Sequence, residues 1–161
     1  MVEDFTGRQD DPIYDAGLAG ARVEAAATAA HGGPVHLVLT ARAENYLHGR
    51  PDLAGTIARL QAYQEAGADV LYAPGLTSLE DIRQLVTSVD RPVNVLARPG
   101  LPPVSELDAA GVRRVSVGGG FAFAALGAVV EAARELREVG TYTFWKGASI
   151  GRQSAAAAFA S

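Results

Sequence analysis

The stretch Val93-Asn-Val-Leu-Ala-Arg-Pro-Gly100, followed by Gly111-Val-Arg-Arg-Val-Ser-Val-Gly-Gly-Gly120, decides the fold. Each is a short run of aliphatic residues that ends in a glycine-containing turn and hands over to a segment of helical character. Two earlier units repeat the pattern, Val35-His-Leu-Val-Leu-Thr-Ala-Arg42 and Ala68-Asp-Val-Leu-Tyr-Ala-Pro-Gly75. Successive strand–loop–helix units predict parallel strands, because consecutive parallel strands need a crossover that is usually a helix. In such sheets the chemistry collects at the carboxyl ends of the strands. Those ends carry Arg42, Glu44, Pro74, Asn94, Arg98, Ser116, Gly118 and Gly119.

Between these strands the pattern predicts helices over residues 14–30, 53–66, 79–89, 105–110 and 121–139. In the first, Leu18, Arg22/Val23 and Ala26 recur near helical spacing, and His31-Gly32-Gly33-Pro34 stops it. Asp52 is placed to cap the second helix, with Ile57, Leu60 and Tyr63/Gln64 on one side. Ser78 starts the third, and Glu80 and Asp81 fall in its first turn, where the helix dipole favours acids. Strands are expected over 35–40, 69–73, 93–97 and 115–117. Met1-Val-Glu-Asp4 reads as the last residues of a further strand, and Phe5 to Pro12 as a polar loop. After Gly140 a tail carries Phe144, Trp145 and Phe159 among small residues, an apolar weight that suggests docking.

Composition bounds the function. At 161 residues, 48% hydrophobic and 20% charged, the chain can bury a core and is globular rather than disordered. A net charge of −4 without a basic run argues against nucleic acid as a partner. With no cysteine, disulfides, thiolate ligands and thiol catalysis are excluded. Neither a signal-like leader nor an uninterrupted apolar span of about 20 residues is seen, so a cytoplasmic protein without a membrane partner is expected.

The order of these units resembles the C-terminal half of the isocitrate lyase and phosphoenolpyruvate mutase superfamily of (β/α)8 barrels. The strings that carry the resemblance are Glu3-Asp4 at a strand end, Ala41-Arg42-Ala43-Glu44, Ala66 to Gly75, Pro92 to Ala97, and Gly111 to Gly119. Together they cover residues 1–140. The implied fold is a partial TIM barrel, from the end of strand four through strand eight, with a C-terminal helical tail over 141–161. Such a chain is expected to lack a preceding half with an Asp-x-Asp-x-Gly magnesium motif, either by truncation or because it pairs with another copy or subunit.

The resemblance implies a magnesium-dependent lyase or mutase. It would break or make a C–C or P–C bond of a small 2-oxo acid or related carboxylate through an enolate. It places Glu3 beside Mg2+, the alternative being an exposed terminal acid. Arg42, at the end of an apolar strand, suits a substrate carboxylate or phosphonate with its forked donors, or else forms a structural ion pair with Glu44. Asn94, among valines and leucine, either contacts substrate or is a satisfied core asparagine. Gly118 and Gly119 precede a helix and either hold an anion or permit close packing. Homo-oligomers that exchange a C-terminal helix are implied as well.

Departures narrow the reading. The loop Phe5 to Pro12 lacks the lysine and cysteine that isocitrate lyases carry there, and the mutase branch also uses that lysine. Glu44 stands where the family usually has aspartate, and Pro74 where its lyases tend to have glutamate. His31, His36 and His48 show no metal-ligand spacing and are given no catalytic role. Two further alternatives are a non-catalytic domain with an incomplete metal site, and a small doubly wound domain of flavodoxin type.

Overall fold

The computed structural model describes residues 1–160. It divides into two compact units, one comprising Met1–Val117 and the other running from Gly118 onward.

The first unit is a five-stranded, all-parallel sheet flanked by helices. In chain order its elements are β1 (Val2–Glu3), α1 (Ala16–His31), β2 (Thr40–Arg42), a 3-10 turn (Asn45–His48), α2 (Leu53–Glu65), β3 (Val70–Tyr72), α3 (Leu79–Thr87), β4 (Val93–Leu96), α4 (Val104–Ala109) and β5 (Arg114–Ser116). Each strand pairs with the next in sequence, giving the order β1-β2-β3-β4-β5. This sequential order is that of a barrel segment. It excludes the flavodoxin alternative, whose order is 2-1-3-4-5.

Register and pleat sort the side chains. Glu3 pairs with Arg42, Arg42 with Tyr72, Tyr72 with Asn94, and Asn94 with Arg114, so these five residues form one row across the sheet. Paired residues share a face and their chain neighbours take the other. Ala41, Leu71, Val93 and Val95 accordingly join the apolar core with Ala19, Val23 and Ala27 of α1, Ile57, Leu60 and Tyr63 of α2, Ile82 and Leu85 of α3, and Leu107 of α4. One face of the sheet is therefore helix-packed and apolar, while the other carries the polar row.

Most helix ends follow the capping signals. Asp52 Oδ1 accepts from Gly55 N at 3.0 Å, and Ser78 Oγ from Asp81 N at 3.3 Å. In α1 the buried stripe is Ala19, Val23 and Ala27, one position on from the expected one, and Leu18 is exposed. The small stripe lets α1 approach closely: a Cβ on Gly67 would lie 2.9 Å from that of Ala27. The expected strand over 35–40 is corrected too. The ladder begins at Thr40, which pairs with Val70 of β3, and Val35, Leu37 and Val38 before it are exposed.

The second unit contains α5 (Gly120–Glu138) and α6 (Trp145–Ala158). The Glu135 carboxylate organises the turn between them, accepting from Thr141 Oγ1, Thr143 N and Oγ1, and Phe144 N. These bonds, led by that from Thr141, hold its pKa below the ordinary value. Among the described residues no helix is long and apolar enough to cross a membrane.

Candidate active site

Arg42 is the last residue of β2, and its guanidinium gathers the acids at this end of the sheet. Nη1 lies 3.5 Å from Glu3 Oε2 of β1, and Nη2 is in contact with Glu44 Oε1 just beyond β2. The Cζ atom stands 5.1 Å from the centroid of the Tyr72 ring on β3, within cation–π range. The contact with Glu44 lacks hydrogen-bond alignment, so Glu44 Oε1 and Arg42 Nε are both buried without a hydrogen-bond partner. Buried polar atoms are almost always satisfied, so the unbonded Nε of Arg42 stands out at this strand end.

Glu44 is 4% exposed. Burial pushes its pKa up; Arg42 opposes this, and the nearby charges of Glu3 and Asp4 add to the rise. Burial is thus the main reason the carboxyl favours its protonated form, and Arg42 offsets it only in part.

Asp4 fixes this turn from below. Its buried carboxylate accepts from Glu44 N at 2.8 Å through Oδ1, and from Tyr63 OH at 2.7 Å and Arg59 Nη1 at 3.3 Å through Oδ2. Arg59 also donates to Tyr14 O at 3.0 Å. Burial and then the Asp4 bond drive the Tyr63 phenol above its ordinary pKa, so it stays a donor. The end of β1, the Arg42–Glu44 turn and α2 are thereby tied at one carboxylate. The loop after Asp4 closes on itself through Thr6 N to Pro12 O at 2.8 Å and an antiparallel bridge between Phe5 and Ile13. It presents Phe5 to His48, whose rings stack with centroids 4.3 Å apart, and His48 Nε2 stands 3.9 Å from Glu44 Oε2.

Further along the row, Asn94 is 2% exposed. Its Nδ2 donates to Ser116 Oγ at 3.0 Å, and its Oδ1 accepts from Arg114 Nε at 2.9 Å. Arg114 Nη2 reaches across to Thr40 Oγ1 at 2.8 Å. The side chain thus has partners from the neighbouring strand. Gly118 and Gly119 fall in the second unit: Gly118 has φ +55° and Gly119 caps α5, with a Cβ there meeting the Phe123 ring at 2.8 Å.

Glu3 and Arg42, two of the site residues expected from sequence, meet directly; Asn94 lies on the same row, two strands along. Three contributors lie outside the expected site residues: Asp4, quoted only within a family string, Arg114, and His48, to which no catalytic role was assigned from sequence. Arg114 was detectable, since alternation in Arg114-Val-Ser116 sets it opposite core-facing Val115. Asp4 and His48 owe their places to α2 and the 3-10 turn, contacts that no local pattern encodes.

The oxygen donors fit a hard dication. Glu3 is half-exposed with one ion-pair partner, while the buried Glu44 carboxylate is engaged by Arg42, so Glu3 is the accessible oxygen donor.

Comparison with known proteins agrees with this architecture. The chain is 52% identical to a protein from Burkholderia cenocepacia J2315 provisionally classed as a lyase/mutase; the match covers 94% of this chain and 56% of that one, with a TM-score of 0.87. A phosphonopyruvate hydrolase, solved in complex with oxalate and Mg2+, is 25% identical with a TM-score of 0.73, over 98% of this chain and 61% of that one. An uncharacterized protein of Mycobacterium tuberculosis is 35% identical over 101 residues, 62% of this chain and 39% of the relative. The chain thus spans little more than half the length of the similar solved structures. A family profile described as phosphoenolpyruvate phosphomutase matches residues 1–137, and the chain belongs to this family, within the phosphoenolpyruvate mutase/isocitrate lyase superfamily.

Proposed function

We propose that this chain carries the anion-binding and metal-facing site of a magnesium-dependent lyase or mutase. Its substrate is a small 2-oxo acid or related carboxylate, with a C–C or P–C bond broken or made through an enolate. The observation that carries this reading is the Arg42 guanidinium held between Glu3 and Glu44 at the end of β2, with its Nε buried and without a hydrogen-bond partner. A substrate carboxylate or phosphonate that reaches the guanidinium takes charge-assisted bonds from its forked donors, a geometry that lysine does not offer. Tyr72 supports the guanidinium from its ring face, and Asp4 holds the turn that aims it.

In this reading Glu3 faces the metal, directly or through water, because its carboxylate is the accessible one of the cluster. Magnesium, when bound, supplies electrostatic stabilisation of the negative charge that develops as the bond breaks. Asn94 lines the substrate side of the row while holding Arg114. Homo-oligomers that exchange a C-terminal helix, in the cytoplasm, complete the proposal.

Calorimetric titration of the chain with oxalate, with and without magnesium, tests it. Oxalate is chosen because the similar phosphonopyruvate hydrolase was solved with it and Mg2+. Binding strengthened by magnesium is expected. Arg42→Lys weakens it at least about tenfold, since charge-assisted bonds contribute roughly 1.5–3 kcal/mol. Glu3→Gln abolishes the coupling to magnesium. An Arg42→Lys chain that loses thermal stability but keeps full oxalate affinity assigns Arg42 to the structural ion pair with Glu44 instead.

A further inference from the structure

The opposite end of the sheet holds a second cluster of ligating side chains. His31 is the last residue of α1, His36 lies in the segment before β2, and Asp69 immediately precedes β3. Asp69 and the Arg42-paired Tyr72 lie at opposite ends of β3, about 10 Å apart along an extended chain, so this cluster is separate from the candidate active site. His31 Nε2 is 2.9 Å from Asp69 Oδ2, and His36 Nε2 is 3.4 Å from Asp69 Oδ1. The two imidazoles stack with centroids 4.2 Å apart and an interplanar angle of 13°, so both Nε2 atoms face one carboxylate. One ligand atom from each of the three residues falls within a 4.8 Å sphere of mutual distance.

We infer that His31, His36 and Asp69 form a binding site for a divalent zinc-type ion. Zinc bound at about 2.0–2.1 Å in tetrahedral geometry sets its ligand atoms about 3.3 Å apart, and each imidazole Nε2 already lies near that distance from one oxygen of the Asp69 carboxylate, His31 from Oδ2 and His36 from Oδ1. Two imidazoles and a carboxylate are a donor set of the borderline-soft kind that late first-row dications prefer. Three protein ligands leave a fourth position, and the site faces water on the His36 side, where that side chain is 57% exposed. Asp69 is already oriented for the task. Its Oδ2 accepts from Leu39 N at 2.7 Å, the kind of outer bond that fixes a ligating carboxylate. Burial alone would raise the Asp69 pKa, but this backbone bond and the two histidines outweigh it, and the carboxyl sits below its ordinary range. Each imidazole needs only to carry its proton on Nδ1 to offer the Nε2 lone pair. The bound ion would join the end of α1, the exposed segment before β2 and the start of β3, which are held now by few bonds, among them Leu37 N to Ala30 O at 3.1 Å.

Zinc titration of the untagged chain, followed by calorimetry and thermal unfolding, tests the site, with cobalt as a visible-absorption probe of the geometry. The expected result is saturable one-to-one binding, tetrahedral cobalt bands, and a Tm raised by about 5–10 °C at a hundredfold excess over Kd. His36→Ala, at an exposed position outside the core, keeps the circular dichroism of the parent and weakens zinc binding at least about tenfold. Asp69→Asn does the same. No saturable uptake at micromolar zinc overturns the inference. So does zinc affinity unchanged in His36→Ala, or affinity lost in His48→Gln but kept in His36→Ala.

Discussion

Arg42 stands between two carboxylates of different character, half-exposed Glu3 and buried Glu44, and the difference has a measurable consequence. Glu44 is a carboxyl whose pKa in the fold lies above its ordinary value of 4.5, because burial and then the neighbouring acids outweigh Arg42. A raised folded-state pKa means that the protonated form stabilises the fold. That contribution is full below the unfolded value and is lost as pH rises through the folded one. Glutamine keeps the shape without the titration. The stability of wild type minus that of Glu44→Gln therefore falls as pH rises above the ordinary value of 4.5, whatever constant offset the lost contact to Arg42 adds. Urea unfolding of both proteins across that range checks it, and a difference that stays flat or rises with pH removes Glu44 from the role of strained acid. Arg42 was legible in the sequence because a charge at the end of an apolar strand needs a reason, whereas Glu3 was reached only through the family resemblance. Glu44 was legible as a strand-end acid able to pair with Arg42, but its burial was not, since that comes from the packing of Asp4, Tyr63 and the 3-10 turn. The histidine pair with Asp69 was invisible for a related reason. His31 and His36 are close in sequence, but their third partner arrives on a strand 33 residues past His36, by the topology alone.

Among the elements, the turns that follow helices hold their places by glycine, and not every glycine is equivalent. Gly111, after α4, has φ +91°, and a Cβ there would lie 2.8 Å from Val86 Cγ1. Gly20 lies inside α1 with open space where a Cβ would project. Gly111→Ala therefore destabilises the chain by about 1–3 kcal/mol, from left-handed strain and the forced contact. Gly20→Ala stabilises it by about 0.5–1 kcal/mol through the unfolded-state entropy of glycine. Denaturant midpoints of the two variants are expected to move in opposite directions; a matched shift would mean that the turn after α4 tolerates a side chain. The same physics explains which elements were readable. Helices with capping residues and an apolar stripe, such as α2 and α3, were placed within one or two residues of their ends. The strand expected over 35–40 failed because a run of Val, Leu and Val reports an apolar preference, while a strand needs a partner, and β3 provides one only from Thr40. In α1 the stripe slipped by one residue because alanine, not leucine, is what a closely approaching helix buries.

For the whole molecule, the decisive quantity is apolar and hydrogen-bonding surface left without a partner among the described residues. The sheet has two open edges, β1 with two paired residues and β5 with three. Exposed strand edges present unpaired backbone groups that favour association with another chain. Beside the β1 edge, Val35, Leu37 and Val38 are each more than 60% exposed, and in the second unit Phe121, Phe123 and Trp145 are likewise. Clusters of this kind exceed the scattered apolar residues of an ordinary monomer surface and mark interaction sites or aggregation liabilities. The chain is therefore expected to be oligomeric or aggregation-prone at micromolar concentration, with unfolding midpoints that rise with protein concentration as mass action requires. Sedimentation velocity over a dilution series reads this directly. Glutamate introduced at Leu37 and Val38 together reduces association through that edge, while the same change at exposed Leu18 on α1, outside that apolar segment, does not. A sharp monomer boundary with concentration-independent, cooperative unfolding would show that five strands and their helices suffice alone. The open edges would then be tolerated rather than covered.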